Sequence, residues 1–210
     1  MNDLEDKYNT VPDQFDGSEW VELLIAKPEY AEKCQWEKLD ADDWGILLAA
    51  KPQFADKCSM WDRMNEYAAL VWGFGYVTAQ IYLLIHQAQF ADKFNNWDEL
   101  TPGDWDSLIA EQPQFADKCN CWEQFYDTYT HYGSWGVILE KQPQFSKKYV
   151  EVMREKREFD INPWVALFCN DAYCALDCAE FCDEWQNFTD REWKILLEKH
   201  PEFADKKLGK

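Results

Sequence analysis

The chain has 210 residues, 47% of them hydrophobic and 17% aromatic, which supplies apolar surface for a sizeable core and argues against a disordered polymer. Its 40 acidic side chains outnumber 21 basic ones for a net charge of -19, so direct binding to a nucleic-acid backbone, which needs a basic footprint, is not expected, and an acidic membrane surface is disfavoured with it. No stretch approaches the about 18 uninterrupted apolar residues of a membrane helix, and MNDLEDKYNT lacks a basic segment followed by an apolar one, so a cytoplasmic protein is expected.

Residues 1–17 read as an acidic leading segment. From residue 18 one pattern, W-x2-LL-x3-P-x-F-A-D-K-C, recurs to residue 210, with copies beginning at Trp20, Trp44, Gln80, Trp105, Trp135, Trp164 and Trp193. A unit of 24–36 residues cannot bury its own apolar face, so neighbouring copies must stack on one another. The expected fold is all-α: a single α-solenoid domain of seven short two-helix repeats.

Within each copy, a polar residue before the tryptophan, as at Ser18-Glu19, Asp104, Ser134 or Thr189-Asp190, is the expected N-cap of a first helix, and acids there suit its positive end. The Leu-Leu pair, Leu47-Leu48 in the second copy, sits on the buried stripe, and Pro52 ends that helix and opens a second, short and partly 3₁₀. A second tryptophan, Trp36, Trp61, Trp97 or Trp122, is expected to close each unit against its neighbour. An aromatic slot reads Tyr30, Phe54, Phe90, Phe115, Phe145, Cys174 and Phe203, and a cysteine slot Cys34, Cys58, Phe94, Cys119, Tyr149, Cys178 and Lys207. Because that second slot accepts Phe and Tyr, it reads as packing that Cys fills as a small hydrophobe, with Lys207 giving the last copy a polar outer face. The slot Lys27, Lys51, Gln87, Gln112, Gln142 and His200 reads as a solvated helix end.

Function is sought where the pattern breaks. After Trp61 the second copy is enlarged: Trp61, Met64, Ala68 and Val71 form a helical stripe that extends the second helix, while Trp72, Phe74 and Tyr76, set around two glycines, are candidate partner-binding aromatics. In the fourth copy Trp122, Phe125 and Tyr129 share one helical face that reads as core, leaving Tyr126, His131 and Tyr132 partly exposed; Tyr126, Tyr129 and Tyr132 join the candidate set. In the sixth, Cys169, Cys174, Cys178 and Cys182 cluster. Residues 174 and 182 lie about 12 Å apart on a straight helix, so buried thiols are favoured, with a metal or redox site as the alternative. No Ser-His-Asp pattern, phosphate loop or metalloprotease helix appears, so no enzyme and no cofactor is expected.

Charge is uneven. Residues 1–43 hold thirteen acids and four bases, residues 98–127 eight and one, and only residues 147–157 are locally basic, with five bases against two acids. Asp40, Asp42 and Asp43 are the acids singled out for partner contact. The string PQFADKC, at Pro52–Cys58 and Pro113–Cys119, resembles short tandem repeats of uncharacterised bacterial and phage proteins, and more distantly the leucine-rich variant repeats, which alternate α and 3₁₀ helices at a similar period. That resemblance covers residues 18–210 and implies a helical-repeat fold. Its phage side, together with the acid rows, points to a partner with a basic surface, such as a nucleic-acid-binding defence enzyme inhibited by nucleic-acid mimicry. A passive scaffold is the other expectation.

Overall fold

Local hydrogen bonding starts and stops the helices. The computed structural model describes residues 12–66, 68–72, 75–125, 134–156, 161–169 and 175–207, with 7, 9 and 209 besides. It is mostly helical and divides into two compact units, residues 1–100 and 101–210.

The first unit runs α1 (Gly17–Ala26), α2 (Ala41–Ala50), β1 (Ala68–Trp72), β2 (Gly75–Thr78) and α3 (Ala79–His86), with 3₁₀ segments Pro28–Lys33, Trp36–Lys38, Pro52–Lys57, Ala88–Lys93 and Trp97–Glu99 between and after them. The second runs α4 (Pro102–Glu111), α5 (Ser134–Lys141), α6 (Ser146–Lys156), α7 (Pro163–Cys169), α8 (Ala175–Ala179), α9 (Asp190–Lys199) and α10 (Ala204–Lys207), with 3₁₀ segments that include Pro113–Lys118, Trp122–Gln124 and Trp185–Asn187.

Thr189 caps its helix as expected, but the acid directly before the repeat tryptophan is not the N-cap. In α1, α2, α4 and α9 the caps are Asp16, Asp40, Thr101 and Thr189, four residues ahead of the tryptophan, and the acid next to it (Glu19, Asp43, Asp104, Glu192) is N3, reaching back to the cap's own N–H to complete a capping box. Starting the helix a turn earlier puts the tryptophan on the core face, where Trp20, Trp44 and Trp105 are fully buried. The other end is as regular. Lys27, Lys51, Gln87, Gln112, Gln142 and His200 all leave the helix with φ between −128° and −140°, and each donates its N–H to the first residue of the Leu-Leu slot at 2.7 Å. The third copy keeps this exit and its 3₁₀ segment although Ala88 stands in the proline's place, so the proline favours the turn without being required for it.

Copies pack through their tryptophans. The second tryptophan of one copy lies on the first of the next: Trp36 on Trp44 (centroids 5.4 Å, 15° between planes), Trp122 on Trp135 (5.4 Å, 25°) and Trp185 on Trp193 (5.9 Å, 23°). It also meets the next copy's aromatic slot, as in Trp36–Phe54, Trp122–Phe145 and Trp185–Phe203. Where Gln80 replaces the tryptophan, Trp61 packs instead on Phe90 and on Phe94, the residue standing in the cysteine slot. The ring lost at one slot is thus supplied from another. Helices α2 and α3 approach closely enough that a Cβ on Gly45 would sit 2.9 Å from the Ala79 Cβ.

Three further expectations are corrected. The stripe Trp61, Met64, Ala68 and Val71 is not helical: residues 61–65 form turns, and Ala68–Trp72 pairs antiparallel with Gly75–Thr78, Val71 opposite Tyr76 and Trp72 opposite Gly75. At two positions the slot read as solvated clamps one copy to another: Gln87 Nε2 donates to Ala49 O (2.9 Å) and Gln142 Nε2 to Ala110 O (2.8 Å). In the sixth copy the slots are displaced by four residues. Cys182 N–H donates to Ala179 O (3.3 Å) as Cys34, Cys58, Phe94 and Cys119 donate to Ala31, Ala55, Ala91 and Ala116, so Cys182 fills the cysteine slot and Cys178 the aromatic one.

Candidate functional site

Of the acids chosen from the sequence, Asp40 is exposed and Asp42 and Asp43 are half-buried. Asp40 accepts from Asp43 N (2.9 Å), and Asp43 accepts from Asp40 N (3.2 Å). Asp43 also lies against the start of α1, where a Cβ on Gly17 would fall 1.9 Å from its Oδ2; glycine is what allows this approach. Burial pushes the Asp43 carboxyl up to about 6 against the pull of the Asp40 N–H, with the charges of Asp40, Asp16 and Asp42 adding to the rise, and burial raises Asp42 as well. Since the folded value lies above the ordinary 3.8, the fold holds the proton more tightly than the unfolded chain, so this group's contribution to stability is fully present below about pH 4 and is lost as pH rises through about 6. Asp43→Asn keeps an acceptor and removes the charge. It should raise the melting temperature more at pH 7.5 than at about pH 4 and flatten the slope between them; equal shifts at both pH values would refute this account.

Exposed acids also recur at two fixed repeat positions. One lies in the A-D-K string, at Glu32, Asp56, Asp92, Asp117, Glu180 and Asp205; the other directly follows the second tryptophan, at Glu37, Asp62, Asp98 and Glu123. Neighbouring lysines balance most of the first row in sequence, as in the Asp56–Lys57 pair, so net local charge does not mark it. Among the described residues of the one basic stretch, three cations are paired. Lys147 pairs with Asp183 (2.7 Å), Arg154 with Glu184 and Lys148 with Glu151 (3.7 Å). The hydrogen bond from Lys147 to Asp183 raises the lysine and lowers the carboxyl.

Of the candidate aromatics, Tyr76 is 68% exposed on β2 beside buried Val77. Trp72 ends β1 opposite Gly75. Phe74, Tyr126, Tyr129, His131 and Tyr132 lie outside the described residues. A polar cleft of about 170 Å³ in the second unit is bordered by Trp122, Glu123, Lys148, Glu151 and Glu155. It is below the roughly 300–1,000 Å³ of small-molecule sites and the right scale for a single side chain.

Seven cysteines fall among the described residues, all free thiols. Burial pushes Cys34 and Cys119 up to about 12 and Cys58 and Cys182 up to about 11, so at neutral pH the slot holds these thiols in the protonated form. Cys178 and Cys182 are buried, whereas Cys169 is half-buried at the end of α7. Cys174 lies outside the described residues, and among those described no three His, Cys, Asp or Glu side chains are grouped to hold one ion.

No protein family, curated protein or solved structure matches this chain. No helix among the described residues is long and apolar enough to cross a membrane.

Proposed function

We propose that this chain is a non-enzymatic protein-binding repeat protein, its copies stacked as a solenoid, whose acidic surface engages a basic, nucleic-acid-binding surface of a protein partner. The observation that carries the reading is the exposed acid following the second tryptophan in four successive copies, Glu37, Asp62, Asp98 and Glu123. Trp36 and Trp122 stack on the first tryptophan of the next copy and Trp61 packs on Phe90, which supports the turns that carry Glu37, Glu123 and Asp62. Both units share the bias: residues 1–100 carry nineteen acids against eight bases and residues 101–210 twenty-one against thirteen. Glu123 also borders the cleft beside Trp122, which suits a partner's Lys or Arg side chain. The resemblance to phage repeats makes a host defence enzyme the partner to test first.

The test is capture of a partner from bacterial lysate on immobilised protein, identified by mass spectrometry, with binding kinetics then measured at about 0.05 M and about 1 M salt. Association should slow steeply at high salt and in the combined variant Glu37→Gln, Asp62→Asn, Asp98→Asn, Glu123→Gln, because such charges steer encounter. Tyr76→Ala should leave stability within about 0.5 kcal/mol; faster dissociation of that variant would place β2 in the interface. A partner held equally well at both salts and by the combined variant would overturn the acidic-complementarity reading.

A further inference from the structure

Cys119 and Cys121 place their Sγ atoms 3.8 Å apart, close enough for one thiol to donate to the other, and both residues are buried. The repeat accounts for one sulfur and not the other. Cys119 fills the packing slot it shares with Cys34, Cys58 and Cys182. Cys121 stands directly before the second tryptophan, where other copies carry Gln35, Met60, Asn96 and Glu184, all half-buried, so stacking of the copies does not call for a thiol there.

We propose that Cys119 and Cys121 form a redox-responsive dithiol, which a hydroperoxide converts into an intramolecular disulfide. The Cys121 sulfur, as thiolate, attacks one peroxide oxygen; the O–O bond breaks, and Cys121 becomes a sulfenic acid while hydroxide leaves and takes up the released proton as water. The Cys119 sulfur then attacks the sulfenic sulfur, the S–O bond breaks, and a second water departs with the Cys119 proton. Two thiols are oxidised and one hydrogen peroxide is reduced to two waters.

Burial raises both thiols, but the hydrogen bond between the two sulfurs opposes the rise at Cys121 and adds to it at Cys119, so Cys121 is the better leading sulfur of the pair. Closure requires the sulfurs to approach by about 1.8 Å to reach a disulfide bond length. Rotation of the two side chains about a single intervening residue, the exposed Asn120, provides that motion. Cys121 also precedes the Trp122–Gln124 turn, so closure pulls on the joint where Trp122 lies on Trp135 and Phe145 and borders the cleft.

The reduced full-length protein is treated with hydrogen peroxide, its remaining thiols are alkylated after denaturation, and a tryptic digest is weighed. The tryptic peptide 119–141 contains Cys119 and Cys121 and no other cysteine. It should lose the mass of two hydrogens, at least about tenfold faster than Cys34 or Cys58 is oxidised, because a neighbouring thiol resolves the sulfenic acid at high effective concentration. In Cys119→Ala the sulfenic acid at Cys121 should persist and be captured by dimedone. A peptide that keeps both thiols while Cys34 and Cys58 oxidise, or that carries only sulfinic acids, would overturn the proposal.

Discussion

Replacing Trp44 by alanine should cost about 3–5 kcal/mol, the range for deleting a large buried aromatic. The indole is fully buried on α2 and supports Trp36, which in turn meets Phe54, so its removal leaves a cavity and unseats the joint between the first two copies. Against a total stability of about 5–15 kcal/mol, that loss should be plain in urea denaturation as a lower midpoint. Trp44→Phe should cost less, because a ring still fills part of the space and can face Trp36. Leu176→Ala serves as control: the leucine is 58% exposed, and its removal should change stability by no more than about 0.5 kcal/mol. Equal midpoints for Trp44→Ala and Leu176→Ala would contradict a core built on paired tryptophans.

The second large effect is alkaline. Cys34, Cys58, Cys119 and Cys182 titrate near 11–12 in the fold against an ordinary 9.0, in each case because burial opposes the thiolate. Folded values above the unfolded one mean that the native chain retains protons the unfolded chain has released. The stabilising contribution is therefore whole below about pH 9 and is lost as pH rises through about 11–12. Wild type should lose roughly 5 °C or more of melting temperature between about pH 8.5 and about pH 10.5 beyond what the double variant Cys34→Ala, Cys58→Ala loses. The same two thiols should react slowly with bulky alkylating reagents at neutral pH and quickly once urea unfolds the chain. Identical pH slopes for wild type and variant would remove the slot thiols from the account of stability.

How much of the fold and candidate site could be read from the chain depended on whether a residue's neighbours were local or brought in by folding. Repetition inside one sequence acted as its own control. Leu47-Leu48 and its counterparts are apolar in every copy and so were legible as core without coordinates, whereas the cysteine slot, legible as packing because it accepts Phe94 and Tyr149, is buried at those two and at Cys119 but half-buried at Cys34 and Cys58. Helix exits were legible too, because a cap bond to Leu23, Leu47 or Leu83 needs only backbone four residues away. The hairpin was not. Ala68, Leu70 and Val71 make a short apolar run that fits a helical stripe as well as a strand, and only pairing with Tyr76 and Val77 separates the two. The sixth copy misled for a related reason. Its slots move by four residues, close to one helical turn, so the stripe stays in phase at the wrong register, and the cap from Cys182 to Ala179 is what identifies the right one.

The candidate site divides the same way. Acidity was a matter of composition, but how each acid is held was set by packing: Asp40 and Asp43 bond each other's backbone, while Glu37, Asp62, Asp98 and Glu123 are exposed, each directly after the second tryptophan of its copy. Gln87 and Gln142 looked like solvated helix ends until the preceding helix brought Ala49 O and Ala110 O within reach. Side-chain periodicity is a one-dimensional signal that reports which face of an element is apolar. The partner of a polar group is a three-dimensional fact, because an amide or carboxylate bonds whatever donor or acceptor the fold places about 3 Å away, however distant in sequence.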